Sequence, residues 1–242
     1  MSSRAEWKKL YSSDGEMIKD NLQWMYDNVT QKDYQEGKSW YASTNSFSFH
    51  LSNKYGVSQI KTSGIIAAFS PLKEWNLNKR MAEEFIESGG IFYRHTELQG
   101  GKAISIYNSN DDKGYIESSL GGQKTINFFN NIYNPEDENY VTIDRHHLYI
   151  CLKEDVQTCT NKQYNLIKKN TIEFSKSVNL KPCEVQAMLW VTWKRLKKEW
   201  NGKEKSNCKR KEQWYNDRKH VLVNDKVSSK KQEQMVEACI AG

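Results

Sequence analysis

Residues 118–149 combine residue types that could bind a phosphate and carry out acid–base chemistry. Gly121 and Gly122 form a tight turn before a predicted helix, and the N–H groups of such a turn can hold a phosphate oxygen. Asp144 directly follows an apolar run and is flanked by Arg145 and two histidines, which is a poor setting for a plain core residue. This segment is therefore the first candidate for a functional site.

The same segment resembles the central part of the helix-hairpin-helix DNA glycosylases of the endonuclease III type. In that family a hairpin of pattern L-P-G-(V/I)-G-x-K-T opens a helix, and a later V-D-T-H supplies the catalytic aspartate. Residues 122–125 (G-Q-K-T) match the end of the hairpin pattern, and residues 143–146 (I-D-R-H) match the aspartate block at close to the family's spacing. The hairpin here reads S-L-G-G without the family's proline, and Arg145 replaces a small residue.

The resemblance implies an all-α fold in which two helical lobes flank a cleft, and an enzyme that acts on DNA. It assigns to Asp144 the stabilisation of positive charge on the sugar as an N-glycosidic bond breaks. It assigns to Lys124 the attack that forms a Schiff base, which makes the enzyme a glycosylase with AP-lyase activity. Because that amine must be partly neutral, we expect Lys124 in a desolvated or cationic spot near Arg145. The DNA contacts implied around the hairpin and the aspartate are Gly121, Gly122, Gln123, Thr125 and Arg145.

The residues themselves leave a plainer interpretation open for each of these positions. Lys124 could serve only as a contact to a DNA phosphate. Asp144 could be the N-cap of a helix that begins at Arg145, a role that is compatible with catalysis because capping holds the carboxylate in place. His146 and His147 are expected to orient or pack rather than to bind a metal, since no third ligand has a sensible spacing.

A second segment resembles the family's first conserved block, in which a buried helix is followed by a break and another helix. Residues 63–69 predict the buried helix, Ser70-Pro71 the break, and a helix follows from about Asn76 to Ser88. The family places a wedge residue after such a break, and here that position is Leu72, an apolar side chain that could unstack bases. Core packing is the competing role for Leu72. Residues that could read the flipped base are Trp40, Tyr41, Trp75, His95 and His146, with core packing as the alternative for the aromatic ones.

Composition supports a helical protein of one domain or two lobes. The chain has 242 residues, three prolines and 37% hydrophobic residues. Helices are predicted over 4–29, 161–177 and from Pro182 to about Leu196, with an aromatic junction at 38–42. A short segment at 45–55 is also expected to be helical, with a strand as the competing interpretation because Phe47, Phe49 and Leu51 alternate. Residues 140–143 look like a short strand. We expect a glycosylase-like domain over 1–205, with the hairpin and catalytic segment at 116–149, and a basic extension over 206–242.

The net charge of +6 is concentrated near the end of the sequence. Residues 194–231 hold 14 Lys or Arg against five acids, so the rest of the chain is slightly acidic. This distribution indicates a polyanionic partner, and we expect double-stranded DNA, with Lys209, Arg210 and Lys211 among the contacts. Trp214 and Tyr215 lie among these cations and could stack on bases. A solubilising tail, or a helix that packs two aromatics on the body, is the alternative.

Several protein classes are disfavoured by what the sequence lacks. No run approaches the roughly 18 apolar residues of a membrane helix, and the first residues do not resemble a signal peptide. The five cysteines form no C-x-x-C pair, so neither a structural zinc nor the iron–sulfur cluster of many relatives is expected. We expect a monomer in the cytoplasm (the host cytoplasm for a viral protein) without metal or cofactor. Two further functions stay open: a phage enzyme on the same scaffold that hypermodifies thymine bases, and a DNA-binding protein without catalysis.

Overall fold

The computed structural model describes residues 15–71, 73–91, 97–153 and 156–200, which form ten α-helices and no strand. This confirms the all-α prediction for the described part of the chain. The helices are α1 (Glu16–Asp27), α2 (Gln31–Tyr55), α3 (Gln59–Phe69), α4 (Trp75–Glu87), α5 (Glu97–Tyr107), α6 (Lys113–Leu120), α7 (Gln123–Tyr133), α8 (Arg145–Leu152), α9 (Asn161–Ser177) and α10 (Pro182–Trp200). Leu72, His95, Lys209, Arg210, Lys211, Trp214, Tyr215 and the boundary at 205 lie outside the described residues.

The chain divides into two compact units, and each is assembled from separate pieces of sequence. Of the described residues, unit 1 holds those within Met1–Gly37, Ile143–Leu180 and Val185–Gly242, and unit 2 holds those within Lys38–Thr142 and Lys181–Glu184. Within the described ranges, none of the helices is both long enough and apolar enough to span a bilayer.

Unit 1 is built on apolar stripes that face one another. The stripe of α1 (Ile18, Leu22 and Met25) is completely buried, and the helix packs against α8 and α9. Asn21 Nδ2 donates to the carbonyl oxygen of Cys151 at 2.7 Å, which ties α1 to the end of α8. Farther along the chain, Arg195 of α10 donates to the buried carboxylate of Asp33 at 2.9 Å.

Unit 2 is organised around α3. Every residue from position 62 to 69 is buried, so this helix is enclosed on all sides by α4, α5, α6 and α7. Gly64 permits the closest approach, because the Cβ of an alanine at this position would lie 2.9 Å from Cγ2 of Ile116 and 3.1 Å from Cγ2 of Ile106. The prediction of a buried helix ending before Ser70-Pro71 is confirmed.

Two local predictions were wrong. Residues 38–42 are not a junction, because α2 runs without interruption for 25 residues through them and through 45–55. The helix expected at 45–55 is confirmed, although it is the second half of α2 and not a separate element. Residues 140–143 form no strand, and the backbone N–H groups of Val141 and Ile143 donate to the Asn127 side chain and the Tyr164 hydroxyl.

Candidate active site

The turn of the candidate hairpin joins α6 to α7 through Gly121 and Gly122 alone. Gly121 has φ 83° and ψ −106°, a backbone conformation that a residue with a side chain adopts only with strain. Its N–H donates to the carbonyl oxygen of Glu117 at 3.1 Å and so closes the end of α6. The sequence prediction of a tight glycine turn before a helix is therefore confirmed.

The first turn of α7 exposes groups suited to an anion. Gly122 is the N-cap and, having no side chain, makes no side-chain cap hydrogen bond. No side chain of the N-cap residue therefore competes with an anion for the N–H groups of this turn, which lie at the positive end of the helix dipole. Gly122 and Lys124 are exposed, while Gln123 and Thr125 are half-buried. The geometry can accept a phosphate oxygen at this helix end.

The exposure of Lys124 differs from our expectation. A nucleophilic amine was expected in a desolvated or cationic position near Arg145, but the Lys124 side chain is exposed to solvent in the first turn of α7, so the desolvated alternative does not hold. Desolvation is the main way in which a protein makes a lysine partly neutral at ordinary pH. The protein without bound DNA therefore does not desolvate the Lys124 amine.

Asp144 is held as the N-cap of α8. Its Oδ1 accepts a hydrogen bond from the backbone N–H of His147 at 2.8 Å, and its backbone is extended with φ −95° and ψ 179°. The preceding Ile143 is buried, and its N–H donates to the hydroxyl of Tyr164 at 3.1 Å. Asp144 itself is half-buried, and its Oδ2 accepts no hydrogen bond within the described ranges. The carboxylate is thus fixed by one oxygen and open at the other.

The two histidines after Asp144 have different environments. His146 is half-buried, whereas the His147 ring is completely buried. Nε2 of His147 lies 2.9 Å from Oγ1 of Thr171, and this hydroxyl donates its only proton to the carbonyl oxygen of Ile167. Nε2 must therefore carry the proton, and Nδ1 has no hydrogen-bond partner in the described part of the chain. The packing role expected for His147 is confirmed.

Burial of His147 has a consequence for acid stability. Desolvation lowers the pKa of His147 from 6.5 to about 4, with the Asp144 charge opposing that shift. Because the folded state binds this proton less readily than the unfolded state, stability is fully present above pH 6.5 and is lost as the pH falls towards 4. We expect the free energy of unfolding to decrease by about 3 kcal/mol across this window.

Urea unfolding at a series of pH values measures this loss, with His147→Gln beside the wild type. The glutamine variant keeps an N–H donor for Thr171 but cannot titrate. It should lose clearly less stability between pH 6.5 and 4. Equal pH dependence in the two proteins would contradict the assignment.

Three of the residues expected to read a base come together in unit 2. The Trp40 ring lies 4.7 Å from Tyr41 and 5.1 Å from Trp75, measured between ring centroids. Phe128 of α7 completes the cluster at 6.0 Å from Trp40 and was not among the residues expected to read a base. Tyr41 is buried, whereas the two tryptophans are half-buried. His146, which was also expected to read a base, belongs to unit 1, whereas these aromatic residues belong to unit 2.

Two features of unit 2 were not anticipated from the sequence. Lys102 of α5 donates to the carbonyl oxygen of Leu120, directly before the glycine turn. A separate open groove of about 590 Å³ contains Lys61, Tyr107 and Asp111 and includes none of the predicted site residues. Across the described ranges, no three His, Cys, Asp or Glu side chains are grouped as metal ligands.

Comparison with known proteins identifies a family match. The sequence model of a family of unknown function (DUF7178) matches residues 5–198, which include every helix described above except the last two residues of α10. No curated protein and no solved structure matches the chain.

Proposed function

Since the chain belongs to the family of unknown function DUF7178, we propose its activity from its own residues: a DNA glycosylase that flips a damaged or modified base out of the duplex and excises it. The observation that carries this proposal is Asp144, a half-buried N-cap carboxylate with one oxygen fixed by His147 N–H. The glycine turn and the exposed start of α7 precede it in the order found in glycosylases of the endonuclease III type. DNA is the proposed partner, and the protein acts as a monomer.

Asp144 supplies the electrostatic part of the reaction. As the N-glycosidic bond breaks, positive charge develops at C1′ of the sugar, and a fixed carboxylate stabilises it without reorganising. Oδ1 accepts a hydrogen bond from the backbone N–H of His147 at 2.8 Å, so in this proposal Oδ2 is the oxygen that faces the sugar. Ile143 is buried and its N–H donates to the Tyr164 hydroxyl, which fixes the backbone immediately before Asp144.

The start of α7 supplies the DNA contact. Backbone N–H groups at the positive end of a helix bind a phosphate oxygen, and the Lys124 charge adds to this attraction. The half-buried tryptophans Trp40 and Trp75 offer stacking faces for the extruded base. Leu72 as a wedge, Arg145 as a phosphate contact and the basic residues 209–211 stay predictions from the sequence.

Lyase activity is the second part of the proposal. The Lys124 amine bonds to C1′ while the base leaves with the electron pair of the glycosidic bond. Loss of a proton and opening of the sugar ring then give a Schiff base. Because Lys124 is exposed in the free protein, bound DNA has to provide the desolvation that frees its amine.

Borohydride trapping on duplexes with an abasic site or a panel of altered bases tests this reaction. We expect the wild type to form a covalent adduct with DNA and Lys124→Ala to form none, because the Schiff base requires that amine. Lys113→Ala, which removes another lysine from the same pair of helices, is the control and should form the adduct. Base release without an adduct leaves a monofunctional glycosylase and removes the lyase assignment. DNA binding without base release or adduct on any substrate removes the glycosylase proposal.

The exposure of Lys124 also favours a second candidate, an enzyme on the same scaffold that hypermodifies thymine bases. Such an enzyme replaces a pyrophosphate group on a modified thymine with an amine-bearing donor and does not need a nucleophilic lysine. Mass analysis of nucleosides from treated DNA separates the two activities. A new thymine derivative supports modification, and a released base supports excision.

A further inference from the structure

The turn between α6 and α7 is held by a lysine from another helix. Nζ of Lys102, on α5, donates to the carbonyl oxygen of Leu120 at 2.5 Å. Leu120 is the last residue of α6, so its carbonyl is one of those that a helix leaves without an intrahelical donor. An ammonium group at this position satisfies the carbonyl and complements the negative end of the helix dipole.

The ammonium group lies against the turn itself. A Cβ added to Gly121 would lie 3.4 Å from Lys102 Nζ, an ordinary van der Waals distance, so the ammonium group lies directly beside the turn. Lys102 is half-buried, in contrast to the exposed Lys124. Its hydrogen bond to Leu120 is charge-assisted and partly shielded from water, which makes it stronger than an ordinary exposed contact.

Other contacts from α5 support the same arrangement. The Ser105 hydroxyl lies 2.8 Å from the Tyr115 hydroxyl and 3.3 Å from the Ser119 hydroxyl, in the first and last turns of α6. Helix α5 therefore contacts α6 along its length. Lys102 is the α5 residue whose charged end reaches the turn.

We propose that Lys102 is a positioning residue for DNA binding, which holds the Gly121–Gly122 turn in the conformation that presents the start of α7 to a DNA phosphate. This inference rests on the proposed function, and it concerns a residue without a counterpart in the motif matched above. The turn lacks the proline of the related hairpins, and glycines alone restrict a backbone least. The Lys102 hydrogen bond supplies the missing restraint from outside the turn.

Two measurements on Lys102→Met, Lys102→Arg and the wild type test the proposal. The first is amide hydrogen exchange of the free protein, which needs no DNA. We expect the Gly121 amide, bonded to Glu117, to exchange about ten-fold faster in Lys102→Met and near the wild-type rate in Lys102→Arg. Lys113→Met is the control, because it removes a charge from the first residue of α6 and should leave this amide protected.

The second measurement is duplex affinity over a series of salt concentrations. Lys102→Met should bind about ten-fold more weakly at every concentration, with the salt dependence unchanged and Lys102→Arg restoring the affinity. A decrease of about one in the salt slope would show a direct phosphate contact and overturn the positioning role. Unchanged exchange of Gly121 or unchanged affinity would also overturn it.

Duplex binding by the wild type distinguishes the role of Lys102 from the proposed function on which it rests. A wild type that does not bind duplex DNA would overturn both, whereas normal wild-type binding with no effect of Lys102→Met would overturn only the lysine's role. Should Lys102→Met fail to fold by circular dichroism, Lys102→Gln replaces it with the same expected losses.

Discussion

The Asp144→Asn variant is expected to release its target base at least about 100-fold more slowly than the wild type, because a fixed charge near C1′ is lost. Asparagine caps a helix about as well as aspartate, and its side-chain oxygen can still accept the His147 N–H. The fold and the position of the side chain are therefore retained while the charge is removed. Single-turnover rates on the substrate identified by the oligonucleotide panel measure the effect.

The chain provides a matched control for this variant. Asp112 is the N-cap of α6, and its Oδ1 accepts from the Tyr115 N–H at 2.5 Å, so Asp112→Asn makes the same chemical change at another cap. Both variants should melt close to the wild type, but only Asp144→Asn should lose activity. A wild-type rate in Asp144→Asn, or equal losses in the two variants, would show that the Asp144 charge is not used in catalysis.

The largest effect on stability is expected from Gly37→Ala. Gly37 lies in α2 where the helix meets α10 within unit 1, and an alanine Cβ there would lie 2.3 Å from Cα and 2.6 Å from N of Met188. These are backbone atoms, so no side-chain rotation relieves the clash and the two helices must separate. We expect a loss of about 3 kcal/mol or more, measured by urea unfolding.

Gly101→Ala is the control for this prediction. Gly101 is also helical, in α5, but a Cβ there would have no atom of the described residues within 4 Å. Without a clash, the higher helix propensity of alanine should stabilise the protein by about 0.5–1 kcal/mol. A Gly37→Ala variant as stable as the wild type would contradict the close approach of α2 and α10.

Helices with strong local end signals could be predicted from the sequence. The predicted span of α9 was residues 161–177, and the helix begins at Asn161 after a Thr160 capping box. Pro182 starts α10 as expected, because proline suits the first position of a helix. The continuity of α2 was missed because its buried face includes Asp33, Gly37, Thr44 and Ser48, which interrupt the apolar repeat that would indicate a helix.

The candidate site was predictable only where it depends on neighbours in sequence. Asp144 as an N-cap and the glycine turn follow from local residue types. The hydrogen bond from Lys102 to Leu120 and that between His147 and Thr171 join residues far apart in the chain, so no local pattern indicates them. The exposure of Lys124 likewise follows from how α7 packs in unit 2, which a motif match does not specify.

The interleaved division of the chain sets an order of folding during synthesis. Nearly all of unit 2 is contained in Lys38–Thr142, whereas unit 1 needs the hydrogen bond between Asp33 and Arg195, which are 162 positions apart. When the ribosome has released residue 142, unit 2 can already bury α3. The apolar stripe of α1 is then still uncovered, because α8 and α9, against which it packs, have not yet been synthesised. The nascent protein therefore carries an uncovered apolar helix for much of its translation, and chaperone demand should be greatest in that interval.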